Sequence, residues 1–212
     1  MSKNVGRLTF NPFGVNTYIL SDNTGKCLIA DPACSGNQEE VRLAGYISDN
    51  HLQPVGMVNT HFHIDHILGN TFVCNTYSIK PQCHSKSKLL WETAAQYGLA
   101  FGLKIDNMIT PADFIEEGDT ITFGNSLVHV LYTPGHADGS VCLVNHAERY
   151  IISGDVLFRD SIGRTDLPTG NFDVLYESIT TKLFTLPDDY IVYPGHGPET
   201  TIGYEKRNNP FL

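Results

Sequence analysis

The sequence predicts an α/β protein, and three observations carry that prediction: short apolar runs of strand length, segments of helical spacing between them, and prolines at the joints. Apolar runs over residues 17–20 and 27–30 read as the first two strands, because each is short and bounded by turn residues. Mixed three and four spacing over 37–49 predicts the first helix, and the run 55–59 returns the chain to a strand. Helices are expected over 66–75 and 85–97. The middle of the chain is all β, with runs over 126–132, 140–144 and 150–152, before a helix over 171–185 and a strand over 190–193. Alternating elements of this kind build layers of helix on sheet. Pro54, Pro81, Pro111, Pro134, Pro168, Pro187 and Pro194 are expected between elements, where a fixed φ and a missing N–H do least harm. No repeat, low-complexity segment or Ser/Gly-rich linker divides the chain, so residues 1–212 are expected to form one domain.

Of the 212 residues, 41% are hydrophobic, which is ample for a buried core. Fourteen Lys and Arg stand against 23 Asp and Glu, for a formal net charge of −9, and no basic run interrupts the chain. Nucleic acid is thereby excluded as an expected partner, and part of the acidity fits a cation site. The five cysteines, Cys27, Cys34, Cys74, Cys83 and Cys142, are odd in number, scattered and without a Cys-x-x-Cys pair, so reduced and mostly buried thiols are expected. Residues 1–7 lack the apolar stretch of a secretory signal, and no run approaches the ~18 apolar residues of a membrane span. A cytoplasmic protein without a membrane partner, monomeric or homodimeric, is the expectation.

The chemistry is concentrated in six residues, His61-Phe62-His63-Ile64-Asp65-His66, which place three imidazoles and a carboxylate in a segment too short for a useful helix face. These are the donor types a borderline cation such as zinc selects. Three further units share one design, a strand followed by a turn and a potential ligand. Thr133-Pro134-Gly135-His136 follows the run ending at Tyr132, Ile151-Ile152-Ser153-Gly154-Asp155 ends in a carboxylate, and Tyr193-Pro194-Gly195-His196-Gly197 brackets an imidazole with two glycines. Each candidate lies at the C-terminal edge of a strand, where α/β folds gather functional loops.

In that order, Thr60-His61-Phe62-His63-Ile64-Asp65-His66, His136, Asp155 and His196 resemble the metallo-beta-lactamase superfamily over nearly the whole chain. Within it, Gly163-Arg164-Thr165-Asp166-Leu167-Pro168, Gly195-His196-Gly197-Pro198 and the ending Glu205-Lys206-Arg207-Asn208-Asn209-Pro210-Phe211-Leu212 are similar to small glyoxalase II-like hydrolases. The resemblance implies an αββα four-layer sandwich with a dinuclear centre at the sheet edges. It implies that His61, His63 and His136 hold one metal, that Asp65, His66 and His196 hold the other, and that Asp155 bridges them. Two divalent cations are thus expected, zinc first, with iron or manganese as alternatives. Asp65, Asp155 and a hydroxide would offset three of their four positive charges, leaving the remainder to favour an anionic transition state. The implied reaction is hydrolysis of a small-molecule thioester, of the hydroxyacyl-thiol kind, by a metal-bound hydroxide formed near neutral pH. Asp65 and Asp155 would take part in catalysis as ligands.

Two other readings stand beside this one. A persulfide dioxygenase of the same superfamily would use mononuclear iron on His61, His136 and Asp155. A non-enzymatic metal-binding protein would have a closed site, whereas seven donors suggest open positions filled by water. Outside the cluster, His51, His84, His129 and His146 are expected as surface or satisfied core residues, and Trp91 as core packing. Arg164 is expected either to face an anionic substrate group or to pair with Asp166. Asn16, Thr17 and Tyr18 are expected in a hairpin, with a lip over the centre as the alternative.

Overall fold

Two mixed sheets face one another, and the alternation of side chains along their strands shows why. The structure is a computed structural model that describes residues 4–100, 102, 109–111 and 113–212. The first sheet contains β1 (Val5–Phe10), β2 (Val15–Ser21), β3 (Lys26–Ala30), β4 (Gln53–Val58), β5 (Pro81–His84) and β6 (Asp113–Ile115), in that order. Its first pairs are antiparallel, and from β3 onward all pairs are parallel. The second sheet contains β7 (Thr120–Phe123), β8 (Ser126–Tyr132), β9 (Val141–Asn145) and β10 (Tyr150–Gly154). After a small ribbon of β11 (Leu157–Phe158) and β12 (Ser161–Ile162), it is completed by β13 (Ile191–Pro194) and β14 (Thr200–Thr201). Its order is β14-β13-β10-β9-β8-β7, with β10 and β13 parallel.

Successive side chains of a strand point to opposite faces. In β3, Leu28 and Ala30 pack between the sheets with Val58, Val130, Val141 and Leu143, while Cys27 and Ile29 turn outward. That outer face is covered by α1 (Asn37–Asp49) and α2 (Asn70–Tyr77), through Leu43, Ile47 and Val73. On the second sheet Ile152 points inward, whereas Cys142, Val144 and Ile151 pack outward against Leu175 and Ile179 of α4 (Phe172–Thr181) and Ile202 of α5 (Ile202–Asn208). The layers are therefore helix, sheet, sheet, helix, the αββα sandwich. Strands buried on both faces explain the continuous apolar runs in the sequence. Between β5 and β6 the chain forms α3 (Lys88–Ala100), whose Leu90 and Ala94 close a separate cluster with Phe62, Ile67 and Ala137. Trp91 packs on this cluster as expected.

Most expected elements occur, with instructive shifts. Residues 37–49 form α1, but 66–75 becomes a 3-10 turn over Ile64–His66 followed by α2 from Asn70. The helix expected over 171–185 stops at Thr181 and finishes as a 3-10 turn over Leu183–Thr185. Asn171 starts it by accepting the Val174 N–H at 3.1 Å. Pro54 lies inside β4 rather than at a joint, at the register shift opposite Cys27 and Leu28, where the ladder tolerates a missing N–H. β1, β5, β6, β7 and α5 were not expected. β1 is an edge strand interrupted by Gly6 and Arg7, and a Cβ at Gly6 would lie 2.1 Å from the Tyr46 hydroxyl. Among the described residues, no helix is long and apolar enough to cross a membrane.

Candidate metal centre

Four loops leave the C-terminal edges of β4, β8, β10 and β13, and together they bring seven sequence-predicted side chains to one place. The loop after β4 carries His61, His63, Asp65 and His66; those after β8, β10 and β13 carry His136, Asp155 and His196. The His61 and His63 ring centroids are 4.7 Å apart, His61 and His136 4.9 Å, and His63 and His136 4.6 Å. One donor atom from each of these three lies within 4.8 Å of the others, and the same holds for Asp65, His66 and His196. Asp155 stands between the groups. Its Oδ1 is 3.4 Å from His66 Nε2, and its Oδ2 is 3.5 Å from His196 Nε2 and 3.7 Å from His136 Nε2.

Hydrogen bonds on the far side of each ring fix which nitrogen faces inward. His66 Nδ1 meets the Asp31 carboxylate at 3.0 Å, His136 Nδ1 the Arg164 carbonyl at 2.8 Å, and His196 Nδ1 the Phe13 carbonyl at 3.0 Å. Each partner can only accept, so each Nδ1 carries the proton and each Nε2 is left with a lone pair. Thr60 completes the pattern. Its hydroxyl donates to Asp31 at 2.7 Å, so it accepts from His61 Nδ1 at 3.1 Å. His61 Nε2 and Asp155 Oδ1 are then buried with no hydrogen-bond partner. Buried lone pairs that converge without donors are costly unless a cation lies among them. This donor set fits a metal ion.

Charge divides the cluster. Burial, together with the neighbouring imidazoles, holds His61 well below its ordinary value and His63 at about 3, and burial also lowers His136. Burial opposes charge on His66 as well, yet Asp155, Asp65 and Asp31 outweigh it and raise that ring well above the usual range. His196 is raised to about 9 because its contacts with Asp155 and Asp65 overcome burial. Burial would raise Asp155, but His66, His196 and His61 hold it well below the usual carboxylate range.

Sequence reasoning missed the residues that hold the donors. Asp31, at φ 48° just after β3, accepts the Thr60 N–H at 2.7 Å as well as the Thr60 hydroxyl and His66 Nδ1. Asn11 donates to the Asp65 carbonyl at 2.9 Å. Asn16 and Tyr18 lie in β2, not in a lip, and they anchor the His196 loop. Asn16 Nδ2 donates to the Pro194 and Gly197 carbonyls at 3.0 and 2.9 Å, and the Tyr18 hydroxyl donates to Pro194 at 2.8 Å. Thr17 bonds the Asp31 carbonyl at 2.6 Å. A Cβ at Gly195 would stand 2.2 Å from Asp155 Oδ1, so only glycine lets that loop pass. Arg164 is paired bidentately with Asp166 at 2.7 and 2.6 Å on the exposed rim. The only signal for these holders is polar residues at strand ends, which turns share.

Comparison with known proteins agrees with this architecture. A family model described as the metallo-beta-lactamase superfamily matches residues 10–196. Probable metallo-hydrolase YqgX of Bacillus subtilis (strain 168) is 38% identical over 207 residues, covering 97% of this chain and 96% of the relative. Hydroxyacylglutathione hydrolase GloC of Haemophilus influenzae is 34% identical over 211 residues, covering 99% and 98%. The crystal structure of TTHA1623 in a di-iron-bound form superposes with a TM-score of 0.88 at 33% identity, covering 98% of this chain and all of the other (100%). A matching sequence model, a matching fold and a set of His and Asp groups able to hold metal all lead to one assignment: the chain belongs, with these relatives, to the metallo-beta-lactamase superfamily.

Proposed function

We propose that this protein is a metal-dependent hydrolase with a dinuclear centre that cleaves thioesters of the hydroxyacyl-thiol class. The observation that carries it is the convergence of the Nε2 atoms of His66, His136 and His196 on Asp155, from rings whose Nδ1 atoms are all engaged as donors. His61, His63 and His136 would hold one cation, Asp65, His66 and His196 the other, and Asp155 both. Zinc is the proposed metal, and iron is the alternative. When bound, two such cations act as Lewis acids and lower the pKa of a coordinated water to about 7. In the net reaction water adds oxygen to the acyl carbon, the C–S bond breaks, and the sulfur leaves with its electron pair to become the thiol, giving a carboxylic acid. Asp31, Thr60 and the carbonyls of Phe13 and Arg164 hold Nδ1 of these rings as the donor and so keep Nε2 aimed inward. Phe62 and Leu90 line the cavity onto which the cluster opens.

A mononuclear iron site on His61, His136 and Asp155 is the second reading; it would leave the donor group Asp65, His66 and His196 without an ion. The identity with GloC supports the thioester reading. Element-resolved metal analysis of freshly purified protein, paired with hydrolysis of acyl-thiol substrates before and after chelation, tests it. Two metal ions per chain and chelator-sensitive turnover are expected. No turnover of any thioester, or turnover indifferent to the chelator, overturns the proposal.

A further inference from the structure

The cluster opens into a cavity of about 610 Å³, large enough to enclose most of a small organic molecule. Away from the metal-facing donors its wall is mostly carbon. Phe62, Leu90, Ala94, Tyr97, Phe158 and Leu167 are among its apolar lining residues. Leu90, Ala94 and Tyr97 are spaced by four and three, so α3 turns one face to this space. Ala94, at the centre of that face, is the smallest of the three and leaves the room.

The charges of the wall are as informative as its carbon. Asp65 and Asp155 supply negative charge, and the lining has two cationic side chains, Arg159 and Arg164. Both already have partners. Arg164 is held by both oxygens of Asp166. Arg159 has Nε 3.7 Å from Asp160, and its guanidinium lies 5.2 Å from the Tyr204 ring centre. Among the described residues that line the cavity, no cation is left to receive a second carboxylate. A carboxylate brought to this wall, away from the metal-facing donors, would lose water without gaining an unengaged counter-charge.

We propose that the group beside the scissile bond is uncharged and apolar, an aromatic or branched alkyl group seated on the α3 face, with Ala94 and Tyr97 as the residues that set its size. This inference rests on the thioester reading for the bond that is cut, but the apolar seat stands on the cavity alone. Each methylene that leaves water for this wall raises kcat/KM about fourfold, the equivalent of ~0.8 kcal/mol.

The metal-loaded protein is assayed with two thioester series. In one, the leaving thiol is constant and the 2-hydroxyacyl group runs from lactoyl through 2-hydroxybutanoyl and 2-hydroxyhexanoyl to mandeloyl, with malyl as the acidic member. In the other, lactoyl is constant and the thiol is lengthened in the same steps. A rise of about fourfold per methylene in either series says which side the seat takes, and malyl is expected at least ~10-fold below 2-hydroxybutanoyl. Tyr97→Arg, a change at a residue 41% exposed, is expected to reverse the discrimination against malyl while the fold is retained. Ala94→Leu is expected to cut turnover of mandeloyl more than of lactoyl. Calorimetric binding of matching ketone analogues, with CH2 in place of sulfur, separates two kinds of failure. If affinity climbs with apolar size but no thioester is cleaved, the thioesterase reading falls and the apolar seat survives. If turnover is present but both series are flat, or the acidic member is favoured, the seat is overturned.

Discussion

The two halves of the cluster, three histidines in one and two histidines with Asp65 in the other, differ in charge. His61, His63 and His136 are held neutral, mainly by burial. His66 and His196 face Asp65 and Asp155 and are pushed toward the protonated form. The first half can therefore accept a cation without shedding protons, whereas the second exchanges protons for its cation. The lesson is that a carboxylate placed beside an imidazole both attracts a metal and competes for it, by making the ring a better base.

That contrast can be broken at its centre. Asp155→Asn removes the one group shared by both halves, and metal content is expected to fall at both, with thioesterase activity down roughly a thousandfold. Unchanged metal content in a folded variant counts against Asp155 as the shared ligand. Single replacements sharpen the comparison: His63→Ala and His196→Ala should each lose about one ion per chain, from opposite halves, and metal titration followed by calorimetry reads which step disappears. Loss of both ions in either variant would mean that the halves do not load separately. Asp31→Asn leaves every donor in place but weakens the aim of His66 directly and that of His61 only through Thr60, so the second half should lose about 10–100-fold in metal affinity and the first less. Equal weakening of both halves would deny the asymmetry. Asn16→Ala cuts two of the side-chain bonds that hold the His196 loop. A loss of ~2–3 kcal/mol in stability is expected, read as a thermal midpoint lower by about 5–10 °C, with donor chemistry intact.

The parts of the molecule legible in sequence are those with dense local signals. Residues 61–66 announce themselves because donor side chains rarely crowd so closely, and the buried strands β3, β9 and β10 do so because both of their faces are apolar. Residues that act at a distance left no such trace. Asp31 looks like an ordinary strand terminator until the fold brings His66 3.0 Å away. The carbonyls of Phe13 and Arg164 have no side-chain signature at all, because any residue could supply them. Edge strands such as β1 and β7 were silent for another reason: β7 is exposed at every other residue and β1 is only partly buried along its middle, so their apolar residues are broken by polar ones over too few positions to stand out. Arg164 shows a third limit, since whether it meets Asp166 or a ligand depends on a loop geometry that spacing does not encode.

The donors do not come from one sheet. His61, His63, Asp65 and His66 hang from the first sheet and His136, Asp155 and His196 from the second, so any ion they share would be a rivet through the sandwich. Its binding free energy would then count toward holding the two leaves together, adding ~4 kcal/mol when free metal exceeds its dissociation constant a thousandfold. A cell short of metal would be left with a protein that is not only idle but easier to pull open.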